Sequence, residues 1–294
     1  MIRSPDDVTA AVLRELERAS DPRFREIMGS AVRHLHAWAR EVHLTEAEFR
    51  KAAAIVARMG QLTDKSHNEV VLCAGSIGLS ALVCLLNNGE NGARETTANL
   101  LGPFWRAGSP RMENGSSIVR SPTKGDPLSI EAVVRDLDGN PVEGADVDVW
   151  HASAEGLYEN QDPTQADMNL RGIFTTDAQG KVWFRTVKPS GYPIPANGVA
   201  GDLLRAQGRH NLRPAHIHFL IHKPGYKTQF SQVYASDDPN LETDAQFGVT
   251  RALVADYAKE EGPQGATYRM RHAFTIEAGE AKMPEPPITG KADR

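Results

Sequence analysis

The chain changes its grammar once, near Leu101, and that change limits the folds open to it. Before it, the apolar residues recur at helical spacing. Thr45-Glu46-Ala47-Glu48 is a capping-box signature, followed by Phe49, Ala53, Ile55, Val56 and Met59. Arg25 through Val42 carries a second apolar stripe in Ile27, Val32, Leu35, Trp38 and Ala39. The uncharged run Val70 to Leu86 reads as a helix covered on several sides. It contains Gly75, Ser76, Gly78 and Ser80 and falls short of the roughly 20 apolar residues that span a bilayer. Asn87-Asn88-Gly89-Glu90-Asn91-Gly92 then ends the helical section.

After Leu101 the pattern is short strands between turns. Leu128 through Val134 leads into the hairpin-like turn Asp136-Leu137-Asp138-Gly139-Asn140. Ala145 through Trp150 alternates, with valines on one face and aspartates on the other. Gly172 through Thr176, the turn Asp177-Ala178-Gln179-Gly180 and Val182 through Thr186 form another pair. His216–His222, Gln229–Tyr234 and Arg271–Ile276 add three more strands. The expected class is α+β: a helical domain over residues 1–100, then an antiparallel β-sandwich over 101–294. Ala196 to Leu212 reads as a Gly-rich irregular loop, of a length often tied to function. The tail after Glu277 reads as a surface extension.

Composition narrows the class of partner. Of 294 residues 24% are charged, and the net charge of −5 leaves no basic footprint for nucleic acid. Cys73 and Cys84 share one apolar run and read as buried free thiols. The first residues lack the basic start and apolar stretch of a secretion signal, so a cytoplasmic protein is expected, not a membrane one.

The chemistry concentrates in Arg213-Pro214-Ala215-His216-Ile217-His218-Phe219. Proline disfavours helix in the residue before it, and in a strand His216 and His218 leave the same face, where one metal ion could take both. His222 has the same parity but lies more than about 10 Å along the strand from His218, too far to share that ion. Alone, the pair also fits a solvated strand face. Two tyrosines sit in turns upstream, Tyr158 in Glu155-Gly156-Leu157-Tyr158 and Tyr192 in Ser190-Gly191-Tyr192-Pro193. Either alone reads equally as core packing. A phenol titrating near pH 10 suits zinc or magnesium poorly, whereas a hard trivalent iron would bind it as phenolate.

Taken together, these segments resemble the intradiol ring-cleavage dioxygenases of the catechol and hydroxyquinol type. Leu101-Gly102-Pro103-Phe104, Gly156-Leu157-Tyr158, Gly191-Tyr192-Pro193, the Arg213–His218 strand and Gln232 occur in family order, and the resemblance covers essentially the whole chain. It implies one Fe(III) per subunit held by Tyr158, Tyr192, His216 and His218. It implies further that Tyr192 leaves the iron and accepts a substrate proton, that Arg213 faces the developing ring charge, and that Gln232 orients the ring. For Arg213 a surface ion pair is the competing reading. The implied substrates are a small aromatic diol or triol and O₂.

Residues 190–195 and 201–204 look most like the hydroxyquinol (benzene-1,2,4-triol) branch, whose product would be maleylacetate. Catechol or a chloro- or methyl-substituted ring is the alternative, giving a muconate-type product. Implied substrate contacts are Leu72, Gly75, Gly102, Pro103, Phe104, Ile194, Pro195, Arg213 and Gln246. Cys73-Ala74-Gly75 departs from the Leu-Ser-Asp frequent in that branch, and Gln246 stands where a small apolar residue is usual. These departures open one wall of the pocket and add a hydrogen-bonding group elsewhere, unless Gln246 faces solvent. The resemblance also implies a homodimer joined through the N-terminal helices, with a phospholipid at that interface. A zinc-holding binding module or a metal-dependent hydrolase fits less well. Zinc has little use for phenolate, and no nearby carboxylate completes a zinc set around the two histidines.

Overall fold

The structure, a computed structural model, describes residues 2–64, 67–87, 98–263 and 265–291. It divides into two compact units, Met1–Arg58 and Met59–Arg294. The first is helical, with α1 (Pro5–Leu16), α2 (Pro22–Glu41) and most of α3 (Glu46–Gln61). Local chemistry starts each helix. Ser4 and Asp7 make a capping box before α1, and the Asp21 side chain accepts from the amides of Arg23 and Phe24 at the start of α2. The box expected at Thr45 forms, its amide donating to Glu48 Oε2 at 2.9 Å. The apolar stripe of α2 is not buried within the chain: Phe24, Ile27, Leu35 and Trp38 are all exposed.

The apolar run expected as one buried helix is two, α4 (Glu69–Ser76) and α5 (Leu79–Leu86), bent by 80°. Gly78 lies between them at φ +75°, a left-handed conformation that ends α4 and that glycine adopts without strain. The bend turns α5 outward; none of its residues is buried, and Leu86 is 70% exposed. Cys73 is buried as expected, whereas Cys84 is only partly so. Among the described residues no single helix is long and apolar enough to cross a membrane. The break placed at Asn87–Gly92 lies, beyond Asn87, outside the described residues.

The strands are β1 (Pro127–Arg135), β2 (Asp146–Trp150), β3 (Arg171–Thr175), β4 (Lys181–Val187), β5 (Tyr192–Pro193), β6 (Leu212–Arg213), β7 (His216–His222) and β8 (Gln229–Ala235). They are followed by β9 (Val254–Ala255), β10 (Tyr257–Gly262) and β11 (Gly265–Thr275). One sheet has the order β10-β11-β1-β4 and the other β3-β2-β7-β8-β9, while β5 and β6 pair separately. The α+β class holds, but the sheets are mixed, not antiparallel: β1 runs parallel to β11, and β8 to β9. The expected irregular loop holds a helix, α6 (Val199–Ala206), between β5 and β6.

The five-stranded sheet is buried on both faces. Ile217, Phe219 and Ile221 of β7 enter one apolar cluster with β1, β4 and β11, while Leu220 enters a second cluster on the other face. Strand β2 divides the same way. Val147 and Val149 join the first cluster and Trp150 the second. Its expected polar face is therefore not solvated: Asp148 is buried and accepts from the Trp105 indole at 3.0 Å. His216 and His218 share the parity of Leu220, so the fold delivers both to the second cluster.

Candidate active site

Strand register builds the site. Across β7 and β8, His216 pairs with Tyr234 and His218 with Gln232, while β2 brings Trp150 opposite His218. Trp150 stacks on the His218 ring at 4.7 Å and fixes its plane. On the short β5–β6 ladder Tyr192 pairs with Arg213, three residues before His216. Tyr158 follows the turn at Gly156 and packs against Phe104 with ring centroids 4.6 Å apart. Gly102, at φ +78°, passes so close that a Cβ there would lie 3.0 Å from His218 Cε1.

Four tip atoms converge. Tyr158 Oη is 3.3 Å from Tyr192 Oη and 3.1 Å from His218 Nε2; His216 Nε2 is 3.2 Å from His218 Nε2 and 3.5 Å from Tyr192 Oη. All four side chains are buried. His216 Nδ1 donates to the Pro214 carbonyl at 2.7 Å, which leaves its Nε2 lone pair facing the cluster. Burial, then the nearby Arg213 charge, lowers the His216 pKa to about 3. Burial and then His216 hold His218 well below its ordinary value. Burial, with Tyr192 beside it, raises the Tyr158 phenol well above its own.

Two uncharged imidazoles and two phenols thus aim lone pairs at one point, spaced as ligands about 2 Å from a shared first-row ion would be. This donor set fits a hard cation that displaces the phenol protons. Among the described residues no three His, Cys, Asp or Glu side chains gather for a metal, so an ion held here would need the tyrosines. His222 stands apart, its Nδ1 3.0 Å from Thr228 Oγ1.

A cavity of about 300 Å³ opens beside the cluster. Of the four converging residues, Tyr192 reaches its wall. Leu72, Gly102, Pro103, Phe104, Ile194, Pro195, Arg213 and Gln246 line it as expected. Gly75 does not; it lies behind the Gln246 side chain. Gln246 is 7% exposed and faces inward, which removes the solvent-facing alternative. His67, Leu100, Glu285 and Pro287 also line the cavity. The last two belong to the expected surface tail, which instead returns and buries Ile288 in the second cluster.

Arg213 is not a surface ion pair. Its Nε and Nη2 both donate to Asp244 at 3.1 Å, and Nη2 also donates to Gln232 Oε1 and Tyr234 Oη at 2.9 Å each. Burial works against the guanidinium charge, but Asp244, Tyr234 and Tyr192 more than offset it and hold its pKa well above the ordinary value. Gln232 is engaged at both ends. Its Oε1 accepts from Arg213 and Tyr234, and its Nε2 donates to the Leu100 carbonyl at 2.6 Å. It is not among the residues lining the cavity. Sequence reasoning missed Asp244 and Tyr234, because nothing local in the chain marks either as a partner of Arg213.

A hydrogen-bonded cluster of two imidazoles and two phenols thus lies beside an apolar-walled, ring-sized cavity. A family model described as "Dioxygenase" matches residues 100–278, and another described as "Catechol dioxygenase N terminus" matches residues 21–94. A hydroxyquinol 1,2-dioxygenase of Rhizobium sp. (strain MTP-10005) is 40% identical over 87% of this chain and 86% of its own length. A 6-chlorohydroxyquinol 1,2-dioxygenase of Cupriavidus pinatubonensis is 38% identical over 92% of this chain and 96% of its own. The crystal structure of hydroxyquinol 1,2-dioxygenase from Pseudomonas putida DLL-E4 matches with a TM-score of 0.87 at 34% identity, covering 94% of this chain and 99% of that one. The chain belongs to the intradiol ring-cleavage dioxygenases and is an enzyme of that class.

Proposed function

We propose that this enzyme cleaves hydroxyquinol between its two adjacent hydroxyl-bearing carbons with O₂, giving maleylacetate and retaining both oxygen atoms in the product. The observation that carries the reading is the convergence of Tyr158, Tyr192, His216 and His218 beside a ring-sized cavity. Those four residues would hold one Fe(III) per subunit. Once bound, ferric iron supplies the electron-withdrawing centre that prepares a chelated diol for reaction with oxygen.

The remaining work belongs to the protein. Tyr192, which faces both the cluster and the cavity, accepts a proton from the entering diol at its Oη. Arg213, fixed by Asp244, presents a buried cation to the charge that develops on the ring. Gln232 acts through Arg213, whose Nη2 it orients. Phe104, Ile194 and Pro195 clamp the ring faces and exclude water.

Oxygen uptake with hydroxyquinol, catechol and their chloro and methyl derivatives tests the reading, with hydroxyquinol expected to be fastest. Equal rates on catechol and hydroxyquinol would overturn the substrate preference. A colourless preparation carrying one iron per subunit would overturn the tyrosinate ligation. Two exposed apolar surfaces, on α2 and on α5, support a homodimer joined through these helices with a phospholipid at the interface. The free thiols Cys73 and Cys84 fit a reducing, cytoplasmic setting.

A further inference from the structure

Gly75 and Gln246 are far apart in sequence, yet they share one space. Gly75 is three residues after Leu72 on α4, so the two occupy one helix face, and Leu72 lines the cavity. A Cβ built on Gly75 would collide with Gln246 Oε1 and lie 2.8 Å from Gln246 Cδ. The amide therefore sits where α4 would otherwise present a side chain.

Its orientation is fixed. Gln246 Nε2 lies 2.9 Å from Ser76 Oγ and 3.4 Å from the Leu72 carbonyl, which can only accept, so the nitrogen must face α4. The segment carrying Gln246 is held as firmly. Its backbone amide donates to Asp244 Oδ1 at 3.1 Å, and Arg209 Nη1 and Nη2 join the carbonyls of Ser76 and Ala245 at 2.8 and 3.2 Å. Nε2 is engaged by Ser76 Oγ and by the Leu72 and Ala245 carbonyls, which leaves the oxygen, seated in the space beside Gly75, as the part of the amide still free to pair. Among the described residues, no donor reaches Oε1.

We propose that Gln246, seated in the space Gly75 leaves open, selects the ring substituent of the substrate, and that it selects a hydrogen-bond donor such as a third hydroxyl. This rests on the reading of the cavity as the diol site. A buried carbonyl oxygen gains from a ring hydroxyl and is left unpaired by a bare ring. A ring carboxylate would set acceptor against acceptor and be disfavoured. Gly75 is the enabling half of the pair. A Cβ there meets the Gln246 amide before any other group and pushes it off its seat.

The test separates recognition from turnover. Affinities for hydroxyquinol, catechol and 3,4-dihydroxybenzoate are measured without oxygen on the iron-loaded protein, on Gln246→Leu, on Gly75→Ala and on the double variant. Turnover with oxygen is followed separately. The wild-type protein is expected to prefer hydroxyquinol to catechol by about tenfold, the worth of one good hydrogen bond. Each single substitution should abolish that preference, and the double should do no more than either, since both remove the same group. Gly75→Ala displaces the far end of a flexible side chain and costs its hydrogen bonds to Ser76 and Leu72, so its thermal midpoint should fall by no more than that of Gln246→Leu, which loses the same bonds. The proposal is overturned if the wild type does not discriminate, if Gln246→Leu or Gly75→Ala keeps the preference, or if the two effects add. Tight, selective binding without ring cleavage would instead count against the proposed reaction and leave this assignment standing.

Discussion

Tyr192 borders the cavity while Tyr158, His216 and His218 stand behind it, and the proposed function therefore gives it two roles, as a metal ligand and as a base toward the substrate. Its two roles separate in one substitution. Tyr192→Phe keeps the ring packing but removes the oxygen, so iron content should hold near one per subunit on the remaining three ligands. The visible absorption should change, and kcat for ring cleavage should fall by about 10²-fold, the usual scale for a lost general base. Metal analysis, a spectrum and oxygen uptake check the three parts. An unchanged kcat would remove the base role.

At the scale of elements, β3 and the turn after Tyr158 are tied by buried charge. Arg171 Nε and Arg106 Nη1 each donate to Glu159 Oε1 at 2.7 Å, and both Arg171 and Glu159 are 1% exposed. Glu159→Ala leaves two guanidinium groups without their shared carboxylate, one of them fully buried. The expected cost is about 3–5 kcal/mol, read as a drop in urea midpoint. Tyr158, adjacent in sequence, should lose its fixed position, and iron retention should fall with it.

The strands were legible wherever a short alternating run met a Gly or Asp turn, as at Asp136–Asn140 and Asp177–Gly180, but the expected pairing across those turns does not form: β1 and β2, and likewise β3 and β4, lie in different sheets. The parallel pairing of β1 with β11 was not, because it joins segments more than a hundred residues apart without a local signal. Strand β10 was hidden by its exposed Lys259-Glu260-Glu261. Helix α6 was hidden by the glycines around it. The four side chains that converge, Tyr158, Tyr192, His216 and His218, were readable because their residue types are rare in that order. The partners of Arg213 and the seat of Gln246 arise only on folding.

For the whole molecule, a buried and a half-buried histidine and one buried acid set much of the response to pH. Burial pushes His151 and His272 from the ordinary 6.5 down to about 4. The folded chain refuses protons there that the unfolded chain accepts. Their stabilising contribution is complete above pH 6.5 and is lost as the pH falls toward 4. Asp148 runs the other way: burial, partly opposed by the Trp105 hydrogen bond, raises it from 3.8 to about 6. It destabilises the fold above pH 6, and that loss is recovered between pH 6 and 3.8. Each group is worth roughly 3 kcal/mol over its window, so two histidines outweigh one aspartate. The urea midpoint should therefore fall between pH 7 and 4.5. Asp148→Asn should raise it at pH 7 and steepen the fall. A flat profile in both proteins would contradict these burial effects.

The returning tail has a practical meaning for anyone handling the enzyme. Glu285 and Pro287 form part of the wall of the cavity, and Ile288 pins them there as an anchor. Part of the cavity wall is thus made from a segment that follows the last strand and belongs to neither sheet. A protease cut in that segment would open the wall while leaving Tyr158, Tyr192, His216 and His218 in place. The clipped protein is expected to admit larger rings, which oxygen uptake with bulkier substituted catechols would check.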